Sequence, residues 1–337
     1  MERKMIHSTD TNYNSCPVIL IGGTGRSGTT ILRKIIENHR DVATIPEWRF
    51  LSDPDGILEY LHILENSNAF TGDQAFKRLE ALFSDVTSSS IFSRIFAKYF
   101  SWIDRRSPIR LTQRAYGSFS IQPVPNIKEL VRSYLEALTE FKWEGQYAGM
   151  KRWQNRNNIC YPTSLASAHD ATINFLDKIS QSAMAAQGKE RFLEKNTWSL
   201  LYFSRVAKLY PTGKFVHIYR DPRDVVASFC AQPWMPNDPV KSALILRDMY
   251  AQWHKELTLV PENRYMEISL ENLVSNTEET LRLLCSFWNL PFYDELLNQD
   301  LSRSNSGRWK SEIPIKLQET VNEILQESIK IYGNDDR

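Results

Sequence analysis

Four glycines within seven residues follow a short apolar run near the start of the chain, in Pro17-Val-Ile-Leu-Ile-Gly-Gly-Thr-Gly-Arg-Ser-Gly-Thr-Thr30. The pattern predicts a buried strand over residues 18–21, a tight turn carrying Arg26, and a helix from Gly28. Such a turn brings backbone N–H groups close to a ligand, and the helix adds the positive end of its dipole, so the segment suits a phosphate. Residues 23–30 also have the spacing of the triphosphate-binding loop G-x-x-x-x-G-K-[ST], but Thr29 stands where that loop carries lysine. Kinases and ATPases use the lysine on the β- and γ-phosphates. The loop is therefore built for an anion and poorly built for ATP.

The rest of the chain alternates in a way that extends this unit. Strands are predicted over 42–45, 192–194, 215–219 and 265–268, and helices over 28–39, 197–209, 240–259 and 277–288. The run 215–219 is apolar throughout, as in a strand buried on both faces. Asp221 is a candidate N-cap with Pro222 at the first helical position and Asp224 three residues after the cap. Residues 232–239, with three prolines, read as a loop. The fold class is α/β, a parallel sheet flanked by helices. Between about 55 and 187 the texture changes: Leu79, Leu82 and Phe83, then Leu130, Tyr134, Leu138 and Phe141, recur at helical spacing. This predicts an inserted helical subdomain, interrupted by a loop over 143–162, within one domain over 17–337 preceded by a loose tail over 1–16.

Composition limits the partners. The 337 residues carry a net charge of +1, with 42% hydrophobic and 24% charged residues, ordinary for a soluble globular protein. A nucleic-acid or membrane-surface binder working through bulk charge is not expected. Any anion site has to be built locally. The four cysteines, Cys16, Cys160, Cys230 and Cys285, lack metal-site spacing, and no metal is expected. No signal-peptide core and no apolar run of about 18 residues is evident, so a cytoplasmic protein without a membrane anchor is the expectation.

Three motifs together resemble the sulfotransferases that use 3′-phosphoadenosine 5′-phosphosulfate (PAPS). The loop at Arg26-Ser27-Gly28-Thr29-Thr30 is similar to their 5′-phosphosulfate loop. Lys214-Phe-Val-His-Ile-Tyr-Arg-Asp-Pro-Arg-Asp-Val-Val-Ala-Ser228 is similar to their 3′-phosphate motif, with Arg220 and Ser228 in matching positions. Ser306-Gly307-Arg308-Trp309-Lys310 is similar to their basic C-terminal loop. The resemblance covers roughly 17–50 and 190–315 and leans toward the tyrosylprotein and carbohydrate branches. It implies cofactor contacts from Gly25, Arg26, Ser27, Gly28, Thr29, Thr30, Arg220, Ser228, Gly307, Arg308 and Lys310, with Trp309 packing on apolar surface. One departure is Leu270, where many relatives have a tyrosine.

Sulfuryl transfer needs charge on the leaving phosphate stabilised and a proton removed from the acceptor. Arg26 and the loop N–H groups suit the first task. Glu47, at the end of the second predicted strand, is the candidate base, its spacing from Arg26 matching the catalytic glutamate of the tyrosylprotein branch. Arg49 matches an arginine just beyond and is a candidate substrate contact. A surface ion pair between Glu47 and Arg49 is the competing reading. Lys195, ending the third predicted strand, matches a family lysine that reaches the bridging or acceptor oxygen. His62 and His169 are fallback bases, His217 reads as a core histidine, and Arg223 as structural. Trp102, Trp153 and Tyr161 are candidate lining residues of the acceptor pocket. The acceptor is a small molecule, glycan, lipid or peptide hydroxyl, with a P-loop kinase or an inactive binding protein as the alternatives.

Overall fold

The computed structural model describes residues 18–45, 47–87, 124–148, 150, 158–301 and 306–334, without the side chain of Arg49. The expected tail over 1–16 and the candidates Trp102 and Trp153 lie outside these residues. A five-stranded sheet runs in the order β2-β5-β1-β6-β7, with β1 Ile19–Gly22 at its centre. Its other strands are β2 Val42–Thr44, β5 Arg191–Lys195, β6 Lys214–Tyr219 and β7 Tyr265–Ser269. Every pairing in it is parallel.

Strand alternation sorts the apolar residues into two cores. Leu20, Ala43, Phe192 and Phe215 face one, while Ile19, Ile21, Leu193, Val216 and Ile218 face the other. The second core is covered by α1 (Thr29–Glu37), through Leu32, Ile35 and Ile36, and by Leu281 and Leu284 of helix Thr277–Trp288. The first core is covered from the other side and continues into the helices between β2 and β5. There α2 (Arg49–Ser52), α3 (Ile57–Leu64), α4 (Ala69–Thr87), α5 (Ile127–Ala137) and α6 (Leu165–Gln187) meet. Tyr134 stacks on Phe175 at 4.3 Å between ring centroids, and Phe83 packs edge-on against both.

The region 143–162 is not simply a loop. An antiparallel hairpin, β3 Thr139–Glu144 with β4 Asn158–Pro162, occupies both of its ends. Asp73 of α4, wholly buried, pins it there, accepting from the Cys160 backbone N–H at 2.8 Å, from Lys77 at 2.7 Å and from the Tyr147 hydroxyl at 2.7 Å. Phe141 belongs to β3 and not to the preceding helix. It stacks on Tyr161 at 4.8 Å on an exposed face.

After β5, a 3₁₀ turn Thr197–Tyr202 leads into α7 (Phe203–Leu209). After β6, α8 (Pro222–Cys230) begins at Asp221, whose carboxylate accepts from the Arg223 N–H as an N-cap should. Then come α9 (Pro239–Leu257), α10 (Leu270–Ser275), α11 (Thr277–Trp288), α12 (Trp309–Glu312), α13 (Ile315–Ile324) and α14 (Gln326–Tyr332). Among the described residues no helix is long and apolar enough to cross a membrane. The turns after β1, β5 and β6 all open at the carboxyl edge of the sheet, where open α/β sheets bind ligands.

Candidate active site

The glycine turn after β1 is fixed by close packing. A Cβ at Gly23 would lie 2.4 Å from Ser27 Oγ and 2.7 Å from the Ile218 carbonyl oxygen. Gly28 caps α1 with φ +105°, and Arg26 itself has φ +60°. A non-glycine residue in the left-handed region costs about 1 kcal/mol, a cost that recurs at functional turns. Ser27 Oγ is buried and has no hydrogen-bond partner among the described residues, which leaves it and the N-terminus of α1 available to an anion. Thr29 is buried and Thr30 is exposed.

Arg26 reaches across to α8, where its Nε donates to Ser228 Oγ at 3.0 Å. Burial and the nearby guanidiniums of Arg308 and Arg220 hold Arg26 below the usual arginine range. Like charges gathered this way store repulsion that a bound anion relieves. Arg220, at the end of β6, is buried and pairs with Asp224 at 3.3 Å. Asp224 also accepts from the N–H groups of Gly307 (2.8 Å) and Trp309 (3.0 Å), so one buried carboxylate ties the C-terminal loop to α8. Arg308 forms a two-pronged bond to Glu312. Lys310 is exposed, with Nζ 5.9 Å from the Trp309 ring. Arg223 bonds Asp221 and lies 4.4 Å over Trp309, bracing the loop from beneath.

Glu47 and Lys195 meet on the other side of the turn. Lys195 Nζ donates to Glu47 Oε2 at 3.2 Å, and the Thr197 N–H donates to Oε1 at 2.8 Å. Both side chains are about nine-tenths buried, at 8% and 11% exposure, so Glu47 is not a surface ion-pair partner. The Arg49 side chain lies outside the described residues. Asn196 organises this corner: its Nδ2 donates to the Trp48 carbonyl at 2.9 Å, and its Oδ1 accepts from Ser52 Oγ and the Trp198 N–H. Neither Asn196 nor Asp224 was singled out by the sequence for this work. Both are short polar residues beside a motif, and only their burial marks them.

His62 instead bonds Glu65, and His169 lies half-buried on α6. His217 is a core residue, wholly buried and 2.8 Å from Glu267. Tyr161 is exposed against Phe141 and does not line the corner around Glu47 by any described contact.

Beyond the carboxyl ends of β6 and β7 lies a cavity of about 530 Å³, lined by Tyr219, Arg220, Ser269, Glu271, Asn272 and Asn334. Its size is that of a pocket for a ligand as large as a nucleoside. Leu270 also borders it and packs against Gly28, where a Cβ would lie 2.8 Å from its Cδ1. The donors around the turn fit a cofactor carrying two phosphate groups: Arg26, Ser27 Oγ and the α1 terminus on one side, Arg220 and Ser228 on the other. Among the described residues no group of three or more His, Cys, Asp or Glu side chains could hold a metal ion.

A family model described as "Sulfotransferase family" matches residues 17–295. A Caenorhabditis elegans sequence named "Putative protein-tyrosine sulfotransferase" is 25% identical over 144 residues, 39% of this chain and 52% of that one. The chain thus spans about half the length of this curated relative. Two solved structures are among those similar to it. The sulfotransferase domain of the Synechococcus PCC 7002 olefin synthase has a TM-score of 0.47 at 17% identity, covering 93% of this chain and 94% of that one. The sulfotransferase domain of the curacin biosynthetic pathway has 0.48 at 15% identity, covering 93% and 97%.

Proposed function

We propose, from the premise that this chain belongs to the sulfotransferase family, that it moves a sulfuryl group from PAPS to the hydroxyl of an acceptor. When bound, PAPS would supply the sulfuryl group on a phosphate leaving group. Arg26, the Ser27 hydroxyl, the hydroxyls of Thr29 and Thr30, and the loop N–H groups from Gly25 to Gly28 would hold the 5′ end. Arg220 and Ser228 would hold the 3′-phosphate, an arginine fork suiting a phosphate bidentately. Gly307, Arg308 and Lys310 would close the C-terminal loop over it.

Glu47 would accept the proton from the acceptor hydroxyl. Lys195, already at Glu47, would carry positive charge to the oxygens between which the group passes, and Arg49 would contact the acceptor. The observation that carries this reading is a corner where a buried carboxylate–lysine pair stands beside three converging guanidiniums. Such charge fixed in place needs no reorganisation during reaction, which is the largest common source of catalytic power.

The test is transfer of label from ³⁵S-PAPS with Glu47→Gln. General-base removal costs about 10²–10⁴-fold in rate, so turnover should fall by that much while affinity for 3′-phosphoadenosine 5′-phosphate stays unchanged. Full activity in the variant would remove Glu47 from the role.

A further inference from the structure

We propose that the turn at the end of α14, residues 331–334, positions the nucleotide of the cofactor, with Tyr332 and the Asn334 N–H as its positioning groups; this rests on the sulfotransferase reading above. The cavity beyond β6 and β7 has walls of two kinds. Tyr219, Arg220, Ser269 and Glu271 come from the ends of the strands and the start of α10, whereas Ile331, Tyr332, Gly333 and Asn334 come from a separate stretch. Asn334 lies 113 positions along the chain from Asp221, which it touches, and outside every motif of the sequence.

Two attachments hold this wall, and both lead to the cavity. The Tyr332 ring is buried, stacked on Tyr250 at 4.6 Å between centroids and packed on Tyr219 at 4.8 Å. Its hydroxyl donates to Glu267 Oε1 at 3.1 Å and lies 2.9 Å from His254 Nε2. The same Glu267 oxygen accepts from the Trp253 Nε1–H at 2.9 Å and lies 2.8 Å from His217 Nδ1, so Tyr332 is anchored to β6, β7 and α9 at once. Two residues on, the Asn334 N–H donates to Asp221 Oδ2 at 3.1 Å. Asp221 caps α8, takes two bonds from the Arg223 guanidinium, and donates its own N–H to Glu271 at 3.1 Å. Arg220, directly before it, is the proposed ligand of the 3′-phosphate.

Each neutral hydrogen bond shifts an equilibrium by roughly two- to tenfold. A turn held by a few such bonds opens more readily than the sheet beneath it. A nucleotide that touches only the closed turn favours it, and the closed turn then raises nucleotide affinity by the same factor. Ile331 supplies a surface to touch. It is 55% exposed and borders the cavity together with Leu270 and Val274, an apolar rim that the flat face of a base would cover.

The test uses the full chain and 3′-phosphoadenosine 5′-phosphate. Asn334→Pro removes the N–H that bonds Asp221, and the extended Gly333 before it (φ −70°, ψ 148°) accepts a following proline. Tyr332→Phe keeps the stacked ring and removes the hydroxyl. Each variant should weaken bisphosphate binding in calorimetry and raise the KM for PAPS by about fivefold, with kcat within about twofold. Hydrogen exchange in the parent protein gives the converse measurement and needs no variant. Saturating bisphosphate should slow exchange of the Asn334 amide by about the same fivefold. Unchanged bisphosphate affinity in both variants, or an Asn334 amide whose exchange ignores saturating bisphosphate, would overturn the proposal while leaving the cofactor reading intact. Failure of the parent protein to bind the bisphosphate would overturn both.

Discussion

Glu194 precedes Lys195 on β5, and strand alternation turns it away from the reacting corner into the first core. It is wholly buried, neither oxygen has a hydrogen-bond partner among the described residues, and burial together with the nearby Glu47 charge pushes its carboxyl up to about 8. In the unfolded chain the same group titrates near 4.5. Between these values the native state binds a proton that the unfolded state has lost, so stability falls as pH rises through that window, by up to about 1.4 kcal/mol per pH unit. Below the window both states are protonated, and above it the cost is constant. Urea unfolding from pH 5 to 8 should show that decline, and Glu194→Gln should flatten it; an equal slope in both proteins would contradict the assignment. Residues with strong local patterns (Arg26, Glu47, Lys195, Arg220 and Ser228) could be picked from the sequence because each ends a strand or sits in a motif. Glu194, Asn196 and Asp224 could not. What distinguishes them is burial, and a Glu, Asn or Asp next to a motif carries no sign of it.

Among the elements, the parallel strands and their helices were legible because each is a compact apolar run followed by a clear 3.6-residue period. Helix 277–288 was readable to the residue, and so was the Asp221-Pro222 start of α8. The β3–β4 hairpin was not. Phe141 falls in step with Leu130, Tyr134 and Leu138, so helical periodicity runs past the true end at Ala137. The partner of Phe141 is Tyr161, far along the chain, and β3 is mostly exposed, so no buried alternation announces it. The loop that follows Ser306 depends on α8 through Asp224. Asp224→Asn removes the charge that pairs with Arg220 and weakens two backbone bonds. Breaking a buried pair costs on the order of 3 kcal/mol. Chemical denaturation should show a loss of that size, accompanied by weaker bisphosphate binding. Unchanged stability and affinity would mean that the loop is held elsewhere.

Across the whole molecule, two cores on the faces of one parallel sheet hold three turns at a single edge, and those turns bring Arg26 to Ser228, 202 positions along the chain. Phe83, Tyr134 and Phe175, from helices between β2 and β5, join the first core. The family was legible from three short motifs, because phosphate recognition concentrates in contiguous turns. The acceptor was not, because no motif in the chain speaks for it. On the proposed function, this edge binds a 3′-phosphorylated adenine nucleotide and not a triphosphate. Calorimetric titration with 3′-phosphoadenosine 5′-phosphate, against ATP with magnesium, tests it directly. Saturable binding of the bisphosphate, lost in Arg220→Ala, with none of ATP, is the predicted result. Binding of ATP with no response to the bisphosphate would contradict it.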